Sequence, residues 1–242
     1  MPDCAFCPHS GALSAEHITS KWMRDLFPGA KRIHHDGRHY KMPALDWKAR
    51  VVCAKCNNTW MSRIECDARN AMTPLITGQG KIPIGQKEAR SIALFAFVKS
   101  VIIDHTKRHR VPFYSRAVRH QFPATLVIPD DVQMWIGGYI NHQGGGAFRS
   151  YYADAKLSLP YQLHLYVCTF AIGHAVVQVV AFKASGIAGF SPTMAFDHLA
   201  VPLWPNVPDG FVWPNLFNLS GRDEFERFAR RWGNVTAELL VH

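Results

Sequence analysis

The chain has 242 residues, 48% hydrophobic and 19% charged, with a formal net charge of +9. That length holds one sizeable domain, or a small metal-stapled one beside a second of ordinary size, and the composition excludes a disordered or low-complexity polymer. The cationic excess favours polyanionic partners, through attraction to phosphates and counterion release.

In chain order, the first feature is Cys4-x-x-Cys7, preceded by neither a basic nor an apolar stretch of the kind that marks a secretory leader. Glu16-His17 follows, and 18–27 has the pattern of a short amphipathic helix stopped by Pro28-Gly29. Asp36-Gly37 is a two-residue hairpin signal between 32–35 and 38–40. His34, His35 and His39 fall in this polar hairpin and are expected to be solvated, an extra ligand or phosphate contact being the alternative. Residues 49–52 read as a strand that delivers Cys53-x-x-Cys56, with Asn57 directly after it. From Asn57, the residues Trp60, Ile64 and Asp67-Ala68 recur at helical spacing, with no Gly or Pro before Pro74.

The segment 77–85, rich in Gly and Pro, reads as a linker dividing 1–76 from 86–242. Residues 86–105 predict a long helix that is apolar around most of its circumference, and therefore buried on more than one side. Lys99 interrupts that run, and the expectation is a packed stem with its ammonium in solvent. Lys107-Arg108-His109-Arg110, with Arg116 and Arg119, reads as solvated loop charge, a phosphate track being the alternative. Strands are predicted at 124–128 and 132–139. The apolar run 163–182 approaches membrane-spanning length. It contains His164, His174 and Gln178, with Gly173-His174 at its middle, so it reads as a buried hairpin and not a transmembrane helix. Gly144-Gly145-Gly146 lacks the Lys-Ser/Thr context of a phosphate loop and reads as a flexible turn. A last helix spans 222–232, with Ser220 or Gly221 near its N-cap, Phe225, Phe228 and Trp232 on one face, and Gly233 as the stop. The expected fold class is α+β.

Six cysteines are present; four lie in the two pairs, while Cys66 and Cys168 are isolated. Two Cys-x-x-Cys turns bring four sulfurs within reach of one tetrahedral zinc ion, through Cys4, Cys7, Cys53 and Cys56. A redox role needs only one pair, and disulfide-stapled domains are shorter and denser in Cys. The expectation is a zinc protein of the reducing cytoplasm with no membrane partner.

The order Cys4-x-x-Cys7, Glu16-His17, Cys53-x-x-Cys56-Asn57 resembles the HNH endonucleases, in particular the zinc-containing, endonuclease VII-like branch of the ββα-metal superfamily. Glu16-His17-Ile18 and Cys56-Asn57-Asn58-Thr59-Trp60-Met61 also look like bacterial HNH proteins with a Glu-His-Ile step followed by Cys-Asn-x-x-Trp, and the Trp-Pro steps at 204–205 and 213–214 are similar to their C-terminal extensions. The likeness of the motif covers under a third of the chain. It implies an N-terminal zinc-stapled ββα-metal domain over 1–76, followed by a mixed α+β domain over 86–242.

The implied activity is metal-dependent hydrolysis of DNA phosphodiesters, with RNA left open as a substrate. In that resemblance His17 is the general base, and Glu16 and the side-chain oxygen of Asn57 hold a catalytic Mg²⁺ or Mn²⁺ distinct from the zinc. Glu65, two helical turns after Asn57, is either a third ligand or a surface charge. Lys21, Arg24, Lys55 and Arg63 lie near these residues in sequence and are the candidate nucleic-acid contacts. Cutting both strands with one site per chain favours a homodimer. The chain departs from many relatives in carrying Glu where they have Asp before the histidine, and Asn where they have His after the last cysteine. The alternatives are a non-catalytic zinc module that binds nucleic acid and a zinc-stabilised scaffold; in either, Glu16 flanks the short helix and His17 packs there.

Overall fold

The computed structural model describes residues 3–28, 32–35, 38–41, 46–107, 110–140, 146–156, 162–184, 197–205, 210–214 and 218–232. The first of its elements is strand β1 (Ser14–His17), followed by helix α1 (Lys21–Leu26) and the strands β2 (Arg32–His35) and β3 (Arg38–Lys41) of the expected hairpin. Strand β4 (Lys48–Val52) then returns antiparallel to β1, with Glu16 facing Ala49 and His17 facing Lys48. A short helix α2 (Ala54–Cys56) runs through a π-helical turn (Asn57–Met61) into α3 (Ser62–Thr77). The helical spacing read from the sequence is the buried stripe of this rod: Trp60, Ile64 and Ala68 are all buried. The helix carries Pro74 in its last turns and stops at Gly78, whose φ of 71° is a left-handed cap open to glycine at no steric cost.

Inside the segment expected to be a linker, β5 (Ile82–Ile84) forms a strand. Helix α4 (Gln86–His105) has the predicted bounds, and it is buried along nearly its whole length from Ala89 to Asp104. The strand expected at 124–128 is not formed. Residues up to Thr125 belong to α5 (Arg116–Thr125), and Leu126 closes that helix at a φ of 49°. The β-branched residues there suggested a strand, but the Ser115 side chain accepts from the Val118 N–H as an N-cap, and Arg119 and Phe122 are buried at helical spacing.

The rest is built on a sheet. Strands β6 (Val132–Ile140), β7 (Gly146–Lys156), β8 (Gln162–Ile172) and β9 (Ala175–Ala184) include the predicted hairpin at 163–182, turning at Gly173-His174. After them come β10 (Ala200–Trp204), β11 (Phe211–Trp213), which pairs with β5, β12 (Asn218–Ser220) and helix α6 (Gly221–Ala229), with Ser220 at its N-cap. The expected stop at Gly233 and the turn at Gly144-Gly145 lie outside the described residues. The large sheet runs in the order β10-β6-β9-β8-β7-β2-β3, with β12 added along β6. The early hairpin thus belongs to this sheet: β2 lies parallel to β7, and β3 is the edge.

Alternation along β8 and β9 explains why the sequence there is continuously apolar. Tyr166, Cys168 and Phe170, with Val177 and Val179, face the core that contains α4; Leu165 and Val167, with Val176 and Val180, face the core that contains Phe225 and Phe228 of α6. The first of these cores continues without a break into the N-terminal segment, through Ile64, Trp60 and Phe6. At its far end, the β8–β9 turn rests on the end of α3, with the His174 N–H donating to Ile76 O. Gly173 there has a φ of 56°, and a Cβ on it would lie 2.0 Å from Ile76 O. No described helix is long and apolar enough to cross a membrane.

Candidate metal centre and the polar cluster beside it

The two Cys-x-x-Cys turns meet. The sulfurs of Cys4, Cys7, Cys53 and Cys56 all lie within 4.8 Å of one another, and Cys7 Sγ is 3.6 Å from Cys53 Sγ. Four sulfurs around zinc at about 2.3 Å define tetrahedron edges of about 3.8 Å, so the set fits zinc with little adjustment. All but Cys7 are buried, and the Cys53 N–H donates to Cys4 Sγ at 3.3 Å. The hydrogen bond from Cys56, with backbone donors, outweighs burial and holds the Cys4 thiol down at about 4. The same bond and burial push Cys56 up, and burial pushes Cys7 up.

The first turn is anchored from both sides. Phe6, between its two cysteines, is fully buried and packs edge-on to Trp60 with ring centroids 5.0 Å apart. Arg119 of α5 donates to Ala5 O and to Tyr114 O. Arg119 is therefore a buried internal strut and not solvated loop charge, and the half-buried Lys107 donates to Ser150 O. Arg108 and His109 lie outside the described residues.

Beside the cluster, β1 presents Glu16 and His17 to opposite sides of the strand. Glu16 is turned inward and buried, where its Oε1 accepts from Lys99 Nζ at 2.6 Å. Lys99 corrects the expectation of a solvated ammonium: its side chain is 3% exposed, and it donates as well to His17 O and to Glu65 Oε1, each at 2.7 Å. Glu65 Oε1 also accepts from Ser20 Oγ. The apolar circumference of α4 leaves this ammonium no path to water, so it took carboxylates instead. Burial alone would lower the Lys99 pKa, but Glu16 and Glu65 outweigh it and the net shift is upward. Glu65 moves the other way: burial would raise it, and Lys99 holds it down.

His17 is half-buried, with Nε2 3.3 Å from Asp46 Oδ1, at ion-pair distance but without hydrogen-bond geometry. Burial, then Arg24 and Lys48, lower its pKa below 6.5 against the opposing pull of Asp46, so the imidazole is neutral at neutral pH. Asp46 also accepts from Arg24 Nη1 at 2.6 Å and pairs with Lys48 Nζ at 2.9 Å. Asn57, in the first turn after the cysteines, is tied to β1 through Nδ2 donating to Ser14 Oγ at 3.4 Å.

Thus the expected site residues divide. The four cysteines come together; Glu16 and Glu65 come together, but around an ammonium; Asn57 reaches the strand that carries Glu16 and His17. Lys21 is exposed and paired with Asp25, Lys55 and Arg63 are exposed, and Arg24 is committed to Asp46. Lys99, Asp46 and Lys48 were missed as members of this cluster. A lysine amid an apolar helix face was the one available signal; nothing local marks the other two.

A catalytic divalent ion meets a mixed reception. The Glu16–Glu65 pair does not fit one, because Lys99 already bridges it. The Glu16 carboxylate and the Asn57 amide oxygen are hard donors of the type Mg²⁺ and Mn²⁺ take. Compared with family models, curated proteins and solved structures, the chain matches none.

Proposed function

We propose that the protein is a metal-dependent endonuclease of the HNH type, hydrolysing DNA phosphodiester bonds with His17 as general base. The observation that carries this reading is the β1–β4 pair leading into a helix, pinned by four cysteines, with Asn57 tied back to the Glu16-His17 strand. The zinc would be structural. His17, kept neutral by burial and two neighbouring cations, can accept a proton from an attacking water. Glu16 and Asn57 would hold a magnesium or manganese ion, which when bound supplies charge stabilisation at the scissile phosphate. Lys99 holds the Glu16 carboxylate and the His17 carbonyl in fixed relation, so the two residues move as one.

Cleavage of supercoiled plasmid tests the proposal. Wild-type protein with Mg²⁺ or Mn²⁺ should give nicked or linear product, EDTA should abolish it, and His17→Ala should slow it about 10²–10⁴-fold. Because the His17 pKa lies below 6.5, the rate should be flat at neutral pH and fall only on the acid side of that value. Equal cutting by His17→Ala would remove the assignment. The ammonium on Glu16 supports a second reading, a zinc-stabilised module that binds nucleic acid without cutting it. Salt-sensitive DNA binding by verified zinc-loaded protein, with no product under any divalent ion, would favour that one.

A further inference from the structure

Asp46 is a single carboxylate on which two cations converge, Arg24 on α1 and Lys48 at the start of β4, with His17 Nε2 at the end of β1 lying 3.3 Å away. Two permanent cations against one carboxylate leave the cluster with excess positive charge. One of its donors is also incomplete. Arg24 uses Nη1 on Asp46 while its Nε is buried without a hydrogen-bond partner among the described residues. A guanidinium fork binds an oxyanion best through two parallel N–H donors, so one prong of this fork is unused. Surplus charge and a shielded, unpaired donor beside a partly exposed carboxylate describe an anion site whose occupant does not fill it.

We infer that Arg24 and Lys48, beside His17, form a binding site for a phosphodiester group, and that in the free chain Asp46 occupies it as an internal stand-in. A phosphodiester, like a carboxylate, presents two oxygens sharing one negative charge, but its tetrahedral phosphorus spreads them wider and can engage both prongs of Arg24. Binding exchanges one anion for another on the same donors, so the site is self-screened until a polyanion competes. Thr19 Oγ1 and Trp22 Nε1, on the same short stretch of chain, are also buried without hydrogen-bond partners among the described residues. The inference rests on the nuclease reading for the identity of its ligand, and on geometry alone for the anion.

The test is the affinity of zinc-loaded protein for inorganic pyrophosphate and for a labelled DNA duplex, without added magnesium or manganese. It compares wild type, Asp46→Asn and the double variant Arg24→Ala/Lys48→Ala. Asp46→Asn should bind both probes several-fold tighter and lower the KM of plasmid cleavage. The double variant should lose most affinity, with the slope of log affinity for DNA against log salt shallower by about two. Zinc content and thermal melting confirm that each variant is folded; Asp46→Asn is isosteric and partly exposed. Unchanged binding in both variants overturns the inference while leaving the nuclease reading intact. A lower kcat with unchanged affinity in Asp46→Asn overturns it too, making Asp46 an orienting partner of His17. Pyrophosphate binding that responds as expected, in a protein that never cuts DNA, keeps the anion site and removes the nuclease.

Discussion

Lys99 shows how a residue can be read correctly in its surroundings and wrongly in its role. The sequence around it predicted burial, and burial left two options for a charge: escape along the stem or pairing. The chain took the second because Glu16 and Glu65 arrive from elements 83 and 34 residues away, a separation that no local pattern reports. Removing one member of a buried ion pair leaves the other charged without compensation, at a cost of about 3–5 kcal/mol. Lys99→Met should therefore lose about that much unfolding free energy in urea titrations, whereas Glu65→Gln should cost less, since the Glu65 side chain is 29% exposed. The signs of the pKa shifts fix the pH window. The contribution of Glu65, held below 4.5, is present above that value and lost as pH falls through its lowered pKa. That of Lys99, raised above 10.5, is present below that value and lost as pH rises through its raised one. The wild-type advantage over Glu65→Gln should be flat across the neutral range and shrink in acid.

At the level of elements, the legible features were those whose signal is local. The helix at 86–105, the hairpin at 163–182 and the strand feeding Cys53 all follow from periodicity within one window, and the cysteine spacing carried the four-cysteine cluster across a longer gap because two Cys-x-x-Cys turns are informative as a pair. The strand expected at 124–128 failed where propensity competed with a cap, and Ser115 won. The cysteine loop is an element in its own right, holding Phe6 against Trp60 and Phe122. Cys56→Ser should reduce bound zinc from about one per chain to none. It should also lower the thermal midpoint and expose Trp60, seen as a red-shifted tryptophan emission. A variant that keeps zinc and midpoint would mean that the cysteines serve some other end.

For the whole molecule, the first seventy-odd residues and the sheet share one core, and the β8–β9 turn seats on the end of α3. Gly173→Ala probes that seat. A left-handed φ costs an L-residue about 1–2 kcal/mol, and the new methyl would also press on Ile76 O. The variant should melt earlier while still unfolding in one transition. Two separate transitions would show instead that the halves are independent. None of this coupling was legible beforehand, because a Gly-His turn looks the same whether it faces water or another helix.

The early hairpin has a consequence in time as well as in space. β2 has its partner in β7, which lies about a hundred residues later in the chain. At synthesis rates of about 5–20 residues per second, the hairpin emerges and waits roughly ten seconds before the strand it pairs with exists. Throughout that interval it offers an open edge to any neighbouring chain, and even in the finished sheet β3 stays at the margin. A pairing that depends on residues so much later in the chain is one that a stalled or shortened chain cannot make.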